Sequence, residues 1–367
     1  MSIFISTGEI SGDIYAAKLA SAISSIMPGE EIWGMGGELA KGVNREWSNE
    51  ILHIMGLGGI AGALPKLFRL RDGLARAVIE RQPKAVIVVD SPDFHIPLLS
   101  KIRSLGYKGC VVYVCPPTVW AWRSGRAKYL KRYCDLCLPL FMFEDKVLKK
   151  FGVNSSWYGH PLVDDFADFT PSQPMPPDDL RVAILPGSRR LEIRMLLPVL
   201  EESAVELKKL GMHPVLSVAP GLDDECKKLV MENASGIEWT SAPGRDLMYA
   251  SKFVIGASGT AAVEAMLLNK YMIVLYKGSK FEWYLYNLLT HTEYVSIPNI
   301  LARNTLYPEL LQNNATTENV MDYAKLYMSD KEYYEGTHNR LRLNLYSMGE
   351  PGAVARWAEA ICALVKR

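Results

Sequence analysis

The chain has no run of about 18 apolar residues, so no membrane-spanning helix is expected and any contact with a bilayer would be made from the surface. It has no excess of charge either: 41 Lys and Arg stand against 40 Asp and Glu, a net charge of +1. A global field favouring nucleic acid is therefore missing, and no block of like charge suggests a solvated tail. Cysteine is sparse, at six residues, and the single CxxC, Cys134 with Cys137, has neither a second CxxC nor a nearby histidine to complete a four-ligand zinc site. Small apolar residues in a reduced, cytoplasmic protein fit that pattern. No basic segment with a cleavage site opens the chain; "MSIFISTGEISGD" already reads as a strand and a turn. Neither GxxxxGK[ST] nor GxGxxG occurs, which removes the P-loop and dinucleotide fingerprints.

What the chain has is alternation. At 367 residues, 49% hydrophobic and 22% charged, it is long enough for two cores. Strand-like runs "IFIST", "EIWGMGG", "AVIVVD", "CVVYVC", "LCLPLF" and "SWYG" in the first half alternate with helical stretches 13–27, 60–81, 95–105 and 123–132. The second half repeats the alternation with "RVAILPG", "HPVLSVAP", "GIEWT", "FVIGAS", "MIVLY" and "YVSIP". Apolar strands separated by helices predict parallel sheets covered on both faces. The four prolines of residues 171–177 mark a linker. The expected fold class is α/β, with two doubly wound Rossmann-like domains, 1–170 and 178–344, facing a crevice at their strand ends. That is the GT-B arrangement, in which a C-terminal helix, here about 345–367, crosses back to the first domain.

Five loops at strand ends carry chemistry. "STGEISGDIYAAKLA" (6–20) places Glu9 and Asp13 at a helix start, where Ser11 as N-cap is the competing structural account. "VVDSPDFH" (88–95) ends a very apolar strand with Asp90 and Asp93, carboxylates that are costly there unless used or hydrogen-bonded. One is expected to be a general base and the other a helix cap, with His95 as a nearby alternative base. "CPPTVWAWRSGRAKYLKR" (115–132) sets Trp120 and Trp122 beside Arg123 and Arg126; packing is the leading role for both indoles. "ILPGSRRLEIRMLLPVL" (184–200) offers Gly187, Ser188 and Arg189 to a diphosphate. In "GASGTAAVEAM" (256–266), Ser258, Gly259 and Thr260 open a helix that can meet the phosphates. Glu264 further along can accept ribose hydroxyls, as acidic residues do in dinucleotide sites, or can simply favour the helix dipole.

Taken in order, "TGEISGD", "VDSPDF", "PPTVWAWR", "YGHPLVD", "LPGSRRLEI", "SGTAAVEAM", "YVSIPNIL" and "PELLQ" run from residue 7 to about 312. This set resembles the lipid-A-disaccharide synthases. Thr7 and Ile10 depart from the family's SGEASGD, and Cys115, Pro116 and Thr118 from the form SPSVWAWR common there. The resemblance implies an inverting glycosyltransferase that moves 2,3-diacylglucosamine from UDP-2,3-diacylglucosamine to 2,3-diacylglucosamine 1-phosphate (lipid X), releasing UDP and forming the β-1,6-linked disaccharide. It implies a peripheral protein on the inner face of the cytoplasmic membrane. There, the stretch 56–80, with Leu64, Leu67, Phe68 and Leu74 among Lys66, Arg69, Arg71 and Arg76, would touch anionic phospholipid or merely cover a sheet. The aromatic stretch 281–289 is a lesser candidate for acyl chains.

On this expectation UDP lies on the second domain, against Gly187, Ser188, Arg189, Ser258, Gly259, Thr260 and Glu264, with Asn299 near the base or the diphosphate. Arg189 and helix N-terminal amides stabilise the leaving phosphate with no metal or other cofactor. Asp93 deprotonates the acceptor hydroxyl, with Asp90, His95 and Glu9 as alternatives. A homo-oligomer is compatible with the sequence. Two competing readings are a UDP-N-acetylglucosamine 2-epimerase-like isomerase of the same architecture and a non-enzymatic membrane-surface protein.

Overall fold

A computed structural model of the chain describes residues 2–54, 60–121, 123–173, 175–218, 222, 224–233, 236–279 and 292–366. They form two compact units, Met1–Asp164 with Met348–Arg367, and Asp165–Ser347. The division falls ahead of the proline-rich stretch 171–177. That stretch lies within the second unit and is tied to it there: the Ser172 and Gln173 amides donate to the Asp246 carboxylate at 2.9 and 3.2 Å.

The first unit contains strands β1 (Ser2–Thr7), β2 (Glu31–Met35), β3 (Asn44–Trp47), β4 (Ala85–Val89), β5 (Cys110–Val114) and β6 (Leu136–Leu138). Every pairing is parallel, in the order β3-β2-β1-β4-β5-β6. Alternate residues of a strand face opposite sides, so Phe4, Val86 and Val88 pack beneath helices Ile60–Arg81 and Pro92–Ser104. Ile3, Ile5, Ile87 and Val89 instead meet helices Ile10–Ile26 and Ala353–Val365. The C-terminal helix is integral to that second core. Trp357 is fully buried, edge-on to Tyr15 with ring centroids 6.2 Å apart, and Arg356 donates to the Tyr158 carbonyl at 2.8 and 3.1 Å.

The second unit repeats the plan with β7 (Asp178–Leu185), β8 (His213–Ser217), β9 (Glu238–Thr240), β10 (Ser251–Ala257), β11 (Tyr271–Tyr276) and β12 (Glu309–Leu311). The order is β12-β11-β10-β7-β8-β9, again all parallel. In both units the first strand is central and pairs with the fourth, which is where the winding direction reverses and where ligands of such sheets bind.

Two strand expectations need correction, and two edge strands were not expected. "SWYG" is not a strand; next to it Ser155 makes only an isolated bridge to Cys137. "YVSIP" leads into the helix Ile297–Ala302, because Pro298 suits a helix start and Ser296 stands at the cap position. The edge strands β3, polar and exposed at "NREW", and β12, three residues long at "ELL", do not show the apolar run of a buried strand.

Replacing Trp357 by Ala should lower the unfolding free energy of the first unit by about 3–5 kcal/mol. Urea titration followed by circular dichroism checks this, and an unmoved midpoint would show that the helix Ala353–Val365 is not needed to close the core.

Candidate functional site

The crossing point of the first unit is crowded. The loop after β1 passes so close to the loop after β4 that a Cβ on Gly8 would overlap the Ser91 side chain. Glu9 is exposed at the N-cap position of the helix Ile10–Ile26; Ser11 lies inside that helix and is not its cap. Asp13, one turn on, is buried and fully engaged. It accepts the Gly37 amide at 3.0 and 3.1 Å, the Asn49 side-chain amide at 3.1 Å and the Thr7 hydroxyl. Asp13 is thus a brace that fastens the loops after β1, β2 and β3 together.

Past β4, Asp90 and Ser91 both adopt left-handed backbone, with φ of 60° and 43°. Asp90 is half-buried, and its Oδ1 accepts the Ser91 amide at 2.8 Å. Burial foremost, and the Glu9 charge second, push its carboxyl up to about 6. Asp93 is different. It is exposed, and its Oδ1 is shared by Arg126 and by Arg123 at 3.1 Å. Two guanidinium groups engage its Oδ1 on an exposed side chain, whereas Asp90 is half-buried with one hydrogen bond to its carboxylate, so the geometry favours Asp90 over Asp93 as a base.

The alternative base His95 is overturned. It is fully buried, with Nδ1 2.7 Å from the Asp90 carbonyl and Nε2 2.9 Å from Ser6 Oγ. A carbonyl only accepts, so Nδ1 carries the proton and Nε2 accepts from Ser6. Burial lowers the imidazole to about 4, and both nitrogens are in use.

Trp120 is a packing residue: its Nε1 donates to Glu144 at 2.9 Å and its ring meets Phe143 edge-on at 4.9 Å. Trp122 lies outside the described residues. Glu144 escaped the sequence reading. It also accepts the Leu140 and Phe141 amides at 3.2 Å, and burial pushes it up to about 7. The signal was one acidic residue inside the apolar "LPLFMFE". Cys134 and Cys137 are buried free thiols. Among the described residues no group of His, Cys, Asp and Glu is arranged to hold a metal.

At the crossing point of the second unit, Gly256 on β10 lies so close to Leu185 on β7 that a Cβ would collide with it. The loops after these strands are therefore neighbours. Gly187 (φ 105°), Ser188 and Arg189 come after β7; Ser258 and Gly259 (φ 145°) come after β10 and lead into the helix Thr260–Leu267. Ser188, Arg189, Gly259 and Thr260 are exposed. Glu264 is half-buried, raised by its burial while the Arg245 charge works the other way. A second residue the sequence reading missed is Glu192, whose Oε2 accepts the Ser188 amide at 3.1 Å. A Cβ on Gly187 would run into that carboxylate. The loop already holds an anionic group at its amides, which is the chemistry a phosphate site requires.

Asn299 does not join this site as a direct ligand. It is fully buried, and all four of its hydrogen-bonding positions are taken. Its amide nitrogen donates to the Tyr307 carbonyl and to Glu309, both at 2.8 Å, and its oxygen accepts the Leu306 and Tyr307 amides at 2.9 Å. Glu309 in turn accepts the Val295 and Ser296 amides at 2.8 and 2.9 Å, capping the helix Ile297–Ala302. That helix packs against Thr260–Leu267. The "SIPN" and "PELL" motifs are thus one knot that supports the site helix from behind.

Residues 3–356 match the family model described as lipid-A-disaccharide synthetase. The chain is similar to the lipid-A-disaccharide synthase of Anaeromyxobacter dehalogenans strain 2CP-C, at 33% identity over 99% of this chain and 97% of the relative. It is similar to that of Chromohalobacter salexigens at 34% identity over 100% and 97%. Among solved structures it resembles UDP-GlcNAc 2-epimerase from Neisseria meningitidis bound to UDP-GlcNAc, with a TM-score of 0.69 and 12% identity over 99% and 100% of the two chains. That likeness is one of GT-B fold; the sequence relationship runs to the synthases.

Asn299→Ala should destabilise the second unit by on the order of 3 kcal/mol, since it strands buried backbone amides and a carbonyl. Thermal unfolding measures it; an unchanged midpoint would mean that the knot is not structural and would return Asn299 to the ligand site.

Proposed function

The chain belongs to the lipid-A-disaccharide synthetase family and is a glycosyltransferase, and from this premise we propose how its residues divide the reaction. The second unit holds UDP-2,3-diacylglucosamine: Gly187, Ser188 and Arg189 with Ser258, Gly259 and Thr260 meet the diphosphate, and Glu264 accepts ribose hydroxyls. The Glu192 carboxylate leaves the Ser188 amide when the diphosphate arrives. Arg189 and the helix N-terminal amides then stabilise charge growing on the leaving phosphate, a task for which no metal is invoked.

The first unit serves the acceptor, 2,3-diacylglucosamine 1-phosphate. Asp90 takes the proton from its 6-hydroxyl as that oxygen attacks the anomeric carbon; the carbon–oxygen bond to UDP breaks and the anomer inverts. The observation that carries this assignment is the contrast at one loop, with Asp90 half-buried and raised to about 6 beside Glu9 while Asp93 is bound by two arginines. Asp93 then has a structural task, holding Arg123 and Arg126 at the rim.

The experiment is UDP release from UDP-2,3-diacylglucosamine in detergent micelles, with and without lipid X and in the presence of a chelator. Acceptor-dependent UDP together with a tetra-acyl disaccharide phosphate is expected. Asp90→Asn should abolish turnover while UDP binding stays near wild type. The base works only when deprotonated, so wild-type kcat should be level above the carboxyl's value of about 6 and fall about tenfold per pH unit below it. Turnover retained in Asp90→Asn would move the base elsewhere.

Both substrates of the proposed reaction are amphiphiles, which supports a position at the cytoplasmic face of the inner membrane. None of the described helices is long and apolar enough to span a membrane. The helix Ile60–Arg81 buries Leu67, Leu74 and Val78 against the sheet yet leaves Leu64 and Phe68, one turn apart, 40% and 51% exposed among Lys66 and Arg69. Such a face suits acyl chains and anionic headgroups together. Residues 55–59, the side chains of 60–63 and the whole of 281–289 lie outside the described residues. Leu64→Ser with Phe68→Ser should reduce co-sedimentation with phosphatidylglycerol vesicles and leave the melting temperature in place; unchanged co-sedimentation would refute this face.

A further inference from the structure

We propose that His95 and Tyr113 are positioning residues for the transfer reaction: together they fix the peptide carbonyl of Asp90 and so decide where its carboxylate stands. The inference rests on the assignment of Asp90 as the base. Two consecutive non-glycine residues in left-handed backbone are disfavoured and persist only where their surroundings over-determine them. At Asp90 and Ser91 the determinants can be named. The Asp90 amide donates to the Val114 carbonyl of β5 at 3.0 Å, and the Ser91 carbonyl accepts the His95 amide at 2.9 Å. The Asp90 carbonyl accepts from two side chains, His95 Nδ1 at 2.7 Å and the Tyr113 hydroxyl at 2.8 Å. With amide and carbonyl both fixed, the Cα–Cβ bond of Asp90 has one direction.

The two donors are themselves held. Ser6 on β1 donates to His95 Nε2 and so keeps the proton on Nδ1. Tyr113 is fully buried on β5, edge-on to His95 with centroids 6.3 Å apart, and burial keeps its hydroxyl protonated. The central strand, the strand after next and the helix Pro92–Ser104 thus converge on a single backbone oxygen. Phe or Leu would fill this apolar space without burying an imidazole and a phenol hydroxyl, groups that are costly there unless their hydrogen bonds are used. The titratable groups facing Asp90 are Glu9 after β1, His95 on the helix, and Tyr113 and Cys115 at the end of β5; Arg126 acts on Tyr113 from the following loop.

The test is steady-state kinetics on the full chain with both lipid substrates, alongside melting temperatures. Tyr113→Phe keeps the volume and removes one donor; His95→Leu removes the other. We expect kcat to fall about tenfold in the first and about 100-fold in the second, with KM for the donor near wild type, the loss that displacement of a reacting group by about an ångström produces. In His95→Asn the side-chain amide takes the place of Nδ1 and donates to the same carbonyl, so it should recover most of the His95→Leu loss. An Asn variant as slow as the Leu variant, or full kcat in folded Tyr113→Phe, overturns the inference. Should His95→Leu not fold, Tyr113→Phe decides alone. If Asp90→Asn is inactive while these variants run at full kcat, only the positioning fails; if Asp90→Asn turns over, the base assignment itself has failed.

Discussion

The hydrogen-bonded ladder between the first and fourth strands of each unit is the constraint on which the rest depends. β1 pairs with β4 through Thr7 opposite Val89, and β10 with β7 through Gly256 opposite Leu185. Parallel strands lie under 5 Å apart, so the loops leaving the paired ends have to share very little space. Gly8 against Ser91 and Gly256 against Leu185 show how tight that sharing is. Because these are the places where the connections turn to opposite faces of the sheet, no helix covers them, and polar side chains can stand open to a ligand.

The number of donors that a carboxylate already has decides its role. Asp13, with the Gly37 and Asn49 amides and the Thr7 hydroxyl, is spent on structure. Glu309 caps a helix and holds Asn299, and Glu144 holds Trp120 and two amides. Asp93 is spent on two arginines. Asp90 keeps its carboxylate lightly bonded in a half-buried place beside a second negative charge, and that combination lifts its proton affinity toward neutrality.

Glu192 and Glu264 stand at the opposite pole of the same logic. Glu192 lies in the first turn of its helix on the second unit, where exposed amides attract negative charge, whereas Glu264 lies beyond the first turn of Thr260–Leu267. Glu192 takes the Ser188 amide itself, whereas Glu264 sits further along, nearer Arg245. In the proposed site, the first would give way to a phosphate and the second would stay beside it.

Alternation of apolar strands with helices determined the doubly wound α/β class, and the strand-end glycines with their polar neighbours located both loop pairs that the structure brings together. Those features are local: strand runs and turn residues are set by the chain within a few positions of themselves. The edge strands "NREW" and "ELL" and the helix at "SIPN" were not legible, because their states depend on partners far along the chain, such as Glu309 for Ser296. The roles within the candidate site were decided only by tertiary structure. Sequence showed Asp90, Asp93 and His95 within six positions of each other, all plausible bases. Ser6, Arg123 and Arg126 come from other elements and engage His95 and Asp93, while Tyr113 donates to the Asp90 carbonyl, which is why the proposed base is Asp90. Hydrogen-bond partners brought together by folding, which a linear reading does not contain, set that difference.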